Sequence, residues 1–375
     1  MAYYYGLIIY YLLGYIFLRK NVSEKKKKRY VFFALLPAFL LVALRSVSVG
    51  NDTYTYYYAF ERYKAHSDFA SILGSSLRES GFLLLNYACI YLGLSYTFMQ
   101  IIISAFIYYS FYRFISKYSE DVWLSCLLFL LNRHMFGTMN TMRMWLAIAI
   151  LLYAVPYVLE RKLVPVVILT IVAMMFHFTA IVFLVIYFMV GIKWNIKNVM
   201  VTIFVSAAIS FMGRSFFSLI TRLINRYSGY LDGRYFDSGG IATYISLIIQ
   251  ICFFVFVFIE YRKWNQYEGM NANDGQIAAT QVNTEGYMIS AMLVMLLLDI
   301  VGLNNTIMSR VSAYFAPAMY LAIPYSLSST GRNNRRVLSF AIVILLLLNF
   351  LIVMHYRPGW YGVSNYTFFW QSQWR

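Results

Sequence analysis

The stretch EKKKKRYVFFALLPAFLLVALR, residues 24–45, decides the fold. Consecutive cations from Lys25 to Arg29 give way to an apolar run from Tyr30 to Leu44, which ends on Arg45. A run of that kind reads as a helix crossing lipid, and the cationic cluster at its start belongs on the cytoplasmic side. Apolar stretches recur at about 2–18, 30–47, 97–116, 122–137, 142–159, 163–176, 179–192, 199–212, 241–259, 287–303, 307–327 and 337–354. The chain is therefore expected to be an all-α polytopic membrane protein with about twelve spanning helices. Its composition, 61% hydrophobic and 12% charged, lies far from that of a soluble domain. The first apolar segment has no basic leader or small-residue cleavage site, and is expected to be a retained helix.

With the first loop cytoplasmic, both termini lie outside. Alternation then puts Arg113–Lys117, Glu160–Lys162, Lys193–Lys197, Tyr261–Lys263 and Arg332–Arg336 inside. The piece Phe82–Gly93 is too short for a full crossing, and counting it as one would carry a lysine-rich loop outside. It reads as a half-helix or re-entrant segment under the first external loop, tolerable where protein or water covers its ends. The chain forms one transmembrane domain (1–375) with three non-lipid segments. These are a first external loop with the half-helix (48–96), a second external loop (213–240) and a polar cytoplasmic loop (260–286).

This topology sorts the cations by type. Lys20, Lys25, Lys26, Lys27, Lys28, Lys117, Lys162, Lys193, Lys197 and Lys263 fall inside. Arg45, Arg62, Arg78, Arg133, Arg143, Arg214, Arg222, Arg226, Arg234, Arg310, Arg357 and Arg375 fall outside, with Lys64. The positive-inside rule explains the first set and not the second. Arginine's planar fork suits phosphate and carboxylate, so the outer face reads as built for an anion. The net charge of +16 is accounted for by topology and that anion, with no nucleic acid as partner. Cys89, Cys126 and Cys252 lie in apolar segments and make neither a disulfide frame nor a CxxC metal site. No P-loop, HExxH or Asp-x-Asp motif occurs, so no metal or cofactor is expected.

Arg45, Arg143 and Arg310 stand at the mouths of three different apolar helices. Each alone reads equally as a snorkelling side chain. Asp52 is a candidate base or hydrogen-bond acceptor, and equally a cap for the helix that follows Gly50-Asn51. Glu79 is a second candidate base, against a solvated charge near a helix N-terminus. His177, in the hairpin Phe176-His177-Phe178-Thr179, is a third, against a satisfied structural histidine. The tyrosines of the first external loop, Tyr54 and Tyr58 among them, read as an interfacial belt or as a sugar platform. Tyr314 shares a helix face with Arg310. Asp299 is the lone acid within an apolar span, a weak signal for transport.

The order Leu44-Arg45, Val49-Gly50-x-Asp52-x-x-x-Tyr56, Glu79-x-Gly81-Phe82, Met142-Arg143 with Leu146-Ala147, Phe176-His177-x-x-Ala180, and Ser309-Arg310-x-x-x-Tyr314 with Pro324-Tyr325 resembles the EpsG family of bacterial exopolysaccharide proteins. The resemblance runs over about residues 40–330. The chain departs from the family pattern at Met144, where Gln is usual, and at Asn365-Tyr366, where Pro-Tyr is common. The resemblance implies a Wzy-like polymerase with a fold similar to the GT-C glycosyltransferases. Such an enzyme moves a growing glycan from a polyprenyl-diphosphate carrier onto a lipid-linked repeat unit, at the outer face of the bacterial cytoplasmic membrane. Its expected partners are that oligosaccharide, membrane lipids, a chain-length regulator and a flippase. On this reading Arg143 and Arg310 hold the diphosphate with Arg45 assisting, and no metal is needed. Asp52 is the first choice of base, ahead of Glu79 and His177. Tyr54, Tyr58 and Tyr314 line the glycan path. The rival readings are a flippase or exporter of lipid-linked saccharide and a membrane O-acyltransferase using His177. A ligase for finished polymer would use nearly the same chemistry.

Overall fold

The computed structural model describes residues 1–18, 23–65, 80–223, 240–268, 275–304 and 306–371. Among these the regular structure is helical, broken only by short 3-10 turns and one isolated bridge between Arg45 and Phe368. Four helical stretches are long and apolar enough to cross a membrane: Tyr96–Tyr118, Gly240–Trp264, Asn283–Gly302 and Asn333–Tyr356. Shorter apolar helices accompany them. The chain is a multi-pass helical membrane protein that divides into two compact units. The first comprises residues 1–157, 162–184 and 354–375; the second comprises 158–161 and 185–353.

The first unit begins with α1 (Ala2–Gly14) and α2 (Glu24–Ala43). The lysine run expected in a loop is the first turns of α2, where Glu24 pairs with Lys27 at 2.8 Å. Inside α2, Pro37 cannot donate to the carbonyl of Phe33. The Tyr10 hydroxyl of α1 donates to that carbonyl instead, at 3.0 Å. The expected first external loop contains α3 (Thr53–Ala65) and α4 (Ser80–Tyr91). At twelve residues, α4 is about 18 Å long against a hydrocarbon core of about 30 Å. It is a half-helix by length. Next comes α5 (Tyr96–Tyr118), capped by the Ser95 side chain on the Phe98 N–H and packed along α2.

The expected spans 122–137 and 142–159 are not continuous helices. The chain forms α6 (Val122–Leu131), α7 (His134–Asn140), α8 (Met142–Leu151) and α9 (Val155–Leu159). The first break falls at Arg133, which adopts a left-handed conformation at φ 64°. These pieces are almost wholly buried. Breaks in a membrane helix are tolerable under protein cover, because neighbours then satisfy the freed backbone groups. The first unit continues with α10 (Leu163–Met174) and a 3-10 segment at Phe178–Phe183.

The second unit contains α11 (Leu184–Met189), α12 (Ile196–Leu223), α13 (Gly240–Glu268), α14 (Gly275–Gly302), α15 (Thr306–Ser312), α16 (Met319–Ser329) and most of α17 (Arg332–Tyr356). Three expectations change here. Helix α12 runs on to Leu223, into the expected second external loop, whose residues 224–239 lie outside the described residues. Helices α13 and α14 extend into the expected cytoplasmic loop, leaving 269–274 outside the description. The expected span 307–327 is interrupted, because α15 stops at Ser312 and Pro317 opens a 3-10 turn before α16. Two buried carboxylates, Glu260 and Glu285, anchor polar cross-links in this unit. Tyr325 donates to Glu285 at 2.8 Å, Ser329 to Glu260 at 3.3 Å, and Lys263 pairs with Glu260 at 2.6 Å.

A helix leaves its last carbonyls without intrahelical donors, and the buried end of α2 must find others. The Val42 carbonyl accepts from Arg45 Nη1 at 2.5 Å, and Gln100 Nε2 of α5 reaches the carbonyls of Ala43 and Arg45, each at 3.0 Å. The Leu41 carbonyl accepts from the Tyr366 hydroxyl at 2.9 Å and the Leu44 carbonyl from the Phe369 N–H at 3.0 Å. Burial pushes the Tyr366 phenol above its ordinary range, which keeps it protonated and donating. Replacing Gln100 by Leu strands two buried acceptors. Gln100→Leu is expected to lower stability by about 2–4 kcal/mol, read as a fall in the thermal unfolding midpoint of the detergent-solubilised protein.

Candidate functional site

The connection from α2 to α3 is held from two sides. Arg45 Nη2 donates to the Met139 carbonyl at 3.0 Å, and Thr53 Oγ1 donates to the same carbonyl at 3.1 Å. The Asp52 N–H donates to Asn140 Oδ1 at 3.1 Å. From the other side comes the C-terminal tail: Gly50 N–H donates to Gly362 O at 2.9 Å, Asn51 Nδ2 to Trp360 O at 2.8 Å, and Ser46 N–H to Thr367 O at 2.9 Å. Gly50 sits at φ 98°, and a Cβ there would stand 2.8 Å from the Met139 carbonyl oxygen. Only glycine fits. The Asp52 carbonyl accepts the Tyr56 N–H at 3.2 Å, so Asp52 stands where α3 begins.

One turn into α3, the Tyr56 ring faces the Phe82 ring of α4 at 5.7 Å. The Arg143 guanidinium of α8 lies 5.3 Å from the first ring and 5.4 Å from the second. Each contact is of cation–π type. The three groups form a nearly equilateral triangle, so the guanidinium stands beside the ring pair and against both members of it. Arg143 is half-buried in the first turn of α8, whose cap residue Thr141 makes no side-chain bond to the helix N–H groups. That end of α8 carries the positive pole of the helix dipole as well as the arginine.

The hairpin after α10 docks on α4. The Met175 carbonyl accepts the N–H of Gly81 at 2.9 Å and that of Phe82 at 3.4 Å. A Cβ on Gly81 would stand 2.9 Å from the Met175 Cβ, which explains the small residue before Phe82. His177, half-buried, heads the 3-10 segment, and its carbonyl accepts the Ala180 N–H at 3.0 Å. Asp52, Tyr56, Gly81, Phe82, Arg143 and His177 thus belong to one contiguous set of elements in the first unit. Tyr54 and Tyr58 are exposed, one turn apart on α3.

Two expected site residues are used differently. Arg45 is only 1% exposed, and its guanidinium is spent on the carbonyls of Val42 and Met139. It therefore shapes the loop and does not present itself to an anion. Tyr314, at 2% exposure, is core of the second unit and does not line an open path. Arg310 is exposed on α15 of that second unit. Glu79 lies outside the described residues. Sequence reasoning missed Gln100, Asn140 and the tail from Trp360 to Phe369. Gln100 carried a usable signal, being an amide inside an apolar helix, which must find a partner. Among the described residues no group of three or more His, Cys, Asp or Glu gathers in one place.

The sequence model of the EpsG family matches residues 28–368 of the chain. No curated protein matches, and no solved structure matches. Gly50→Ala is expected to lower stability by about 2–4 kcal/mol, from the left-handed backbone and the collision with a fixed carbonyl. Thermal unfolding of the solubilised protein checks it; a midpoint equal to wild type would mean that the loop is not pinned at Met139.

Proposed function

The chain belongs to the EpsG family, and on that premise we propose that it is a polysaccharide polymerase acting on polyprenyl-diphosphate-linked saccharides. The observation that carries this reading is Arg143, flanked by Tyr56 and Phe82 at an uncapped helix end. Such a group suits a leaving diphosphate, whose charge grows as the glycosidic bond breaks. In the proposed reaction a hydroxyl of the acceptor repeat attacks the anomeric carbon of the growing glycan. The bond from that carbon to the phosphate oxygen breaks, and the polyprenyl diphosphate leaves with the electron pair. The hydroxyl proton passes to a base, for which we propose Asp52, held through its backbone by Asn140. The exposed Tyr54 and Tyr58 are the proposed start of the glycan path, and Arg310 is a proposed phosphate contact on the family resemblance alone.

The same reading places the reaction on the outer face of the cytoplasmic membrane, within a helical fold like that of the GT-C glycosyltransferases. The lysine run at the start of α2 supports that orientation. A chain-length regulator and a flippase are the protein partners it calls for.

The test is incubation of the purified protein with a synthetic polyprenyl-diphosphate repeat unit, with products resolved on a gel. Wild type is expected to give a ladder spaced by one repeat. Arg143→Ala is expected to cut polymer formation by about 10²–10³-fold and leave single lipid-linked repeats. A normal ladder from that variant would remove Arg143 as the diphosphate contact. Asp52→Asn is expected to slow joining by about 10²–10⁴-fold. Full activity there would transfer the base role to Glu79 or His177.

A further inference from the structure

The tail that pins the α2–α3 connection also carries aromatic rings in parallel pairs. Trp360 and Tyr361 stack with ring centres 5.7 Å apart and planes at 26°. Phe368 and Trp370 stack at 4.5 Å with planes only 5° apart. Trp370 remains 48% exposed despite that stack, so much of the indole is open. The Arg357 guanidinium lies 5.7 Å from the Trp360 ring.

The position of these rings separates them from an ordinary interfacial belt. Belt residues stand at the ends of spanning helices. Here the backbone from Arg357 to Phe368 is irregular, and irregular backbone facing hydrocarbon would leave its polar groups unpaired. The tail therefore belongs on the water side of the interface. It also begins at the proposed reaction centre, since the Trp360 carbonyl is bonded to Asn51, the residue before Asp52. Its other residues are mostly small or hydrogen-bonding: Ser364, Asn365, Thr367 and Gln371. Flat rings alternating with amides and hydroxyls suit a polysaccharide. The apolar C–H face of a sugar stacks on a ring while its hydroxyls find the neighbouring polar groups.

We infer that residues 357–371 form a glycan-holding strip, on which Trp360, Tyr361, Phe368 and Trp370 stack against the growing polysaccharide as it leaves the joining site. This rests on the polymerase reading. A strip of this kind retains the chain between additions, so the enzyme adds several repeats before releasing it. Aromatic contacts of this sort act mainly on the rate of release.

The test compares product lengths at equal consumption of repeat unit, using the full chain and the synthetic lipid-linked repeat. Trp370→Leu keeps apolar bulk and removes the flat face; its mean product length is expected to fall about tenfold, the upper end for one aromatic contact. Trp370→Tyr is expected to restore much of that length. A merely structural tryptophan would change the amount of active enzyme and leave length at equal consumption untouched. Wild-type lengths from Trp370→Leu, or no recovery with Trp370→Tyr, would overturn the inference. A wild-type enzyme that makes no ladder would instead overturn the polymerase reading. Binding gives a measurement that needs no turnover. Lipid-free fragments of the polysaccharide, added to the full chain in lipid nanodiscs, are expected to bind Trp370→Leu about tenfold more weakly than wild type. Equal affinity would overturn the strip.

Discussion

The buried end of α2 is the constraint on which the first unit depends. Its terminal carbonyls lie away from water and cannot stay unpaired without a cost of about 1–3 kcal/mol each. Four groups from three parts of the chain answer them: Arg45 just past the helix, Gln100 of α5, and Tyr366 and Phe369 of the tail. Arg45 then passes the link on, because its second terminal nitrogen reaches the Met139 carbonyl at the end of α7. One guanidinium therefore joins the ends of two helices that are remote in sequence. Removing it would leave the Val42 carbonyl without that donor and the Met139 carbonyl with Thr53 alone.

From that junction the position of the candidate site follows. Met139 is fixed by Arg45 and Thr53, so its neighbour Asn140 is fixed, and Asn140 holds the Asp52 N–H. At the very next residue, Thr141, the chain turns and starts α8 with Arg143 in its first turn. The same segment that locates the proposed base thus locates the proposed anion contact. The break between α7 and α8 is what makes this economical. A continuous helix would have used the N–H groups at Met142, Arg143 and Met144 in its own ladder; a fresh start leaves them near the guanidinium. Burial on all sides is what allows the break inside a membrane protein.

Much of this was legible in the sequence, and the limits have physical causes. Apolar runs and the lysine cluster mark a multi-pass helical protein, and the family motifs name Tyr56, Gly81, Phe82, Arg143 and His177, which the structure gathers in the first unit. What periodicity does not carry is where an apolar run is interrupted. Asn132-Arg133 lies inside the stretch 122–137, apolar enough to read as a span, and a left-handed residue has no hydropathy signature. The placement of Arg45 was hidden for a related reason. An arginine just past a helix end suits an external anion and the helix's own carbonyls equally well, and only burial decides. The tail contacts join positions more than three hundred residues apart, beyond the reach of any local pattern.

The sorting of lysine from arginine, which first pointed to an anion, has more than one origin. A topological anchor needs only charge in water, and the lysines that begin α2 supply it from exposed positions. Arg45 needs two donors on a rigid plane, because it must reach the carbonyls of Val42 and Met139 at once. An ammonium on a flexible stem has no fixed fork for that task. Arg143 needs the plane for a different purpose, to lie against the rings of Tyr56 and Phe82. Both uses select arginine, and only the second is proposed as an anion contact. What separates the two is the neighbour: backbone carbonyls take both terminal nitrogens of Arg45, whereas two aromatic rings stand beside Arg143.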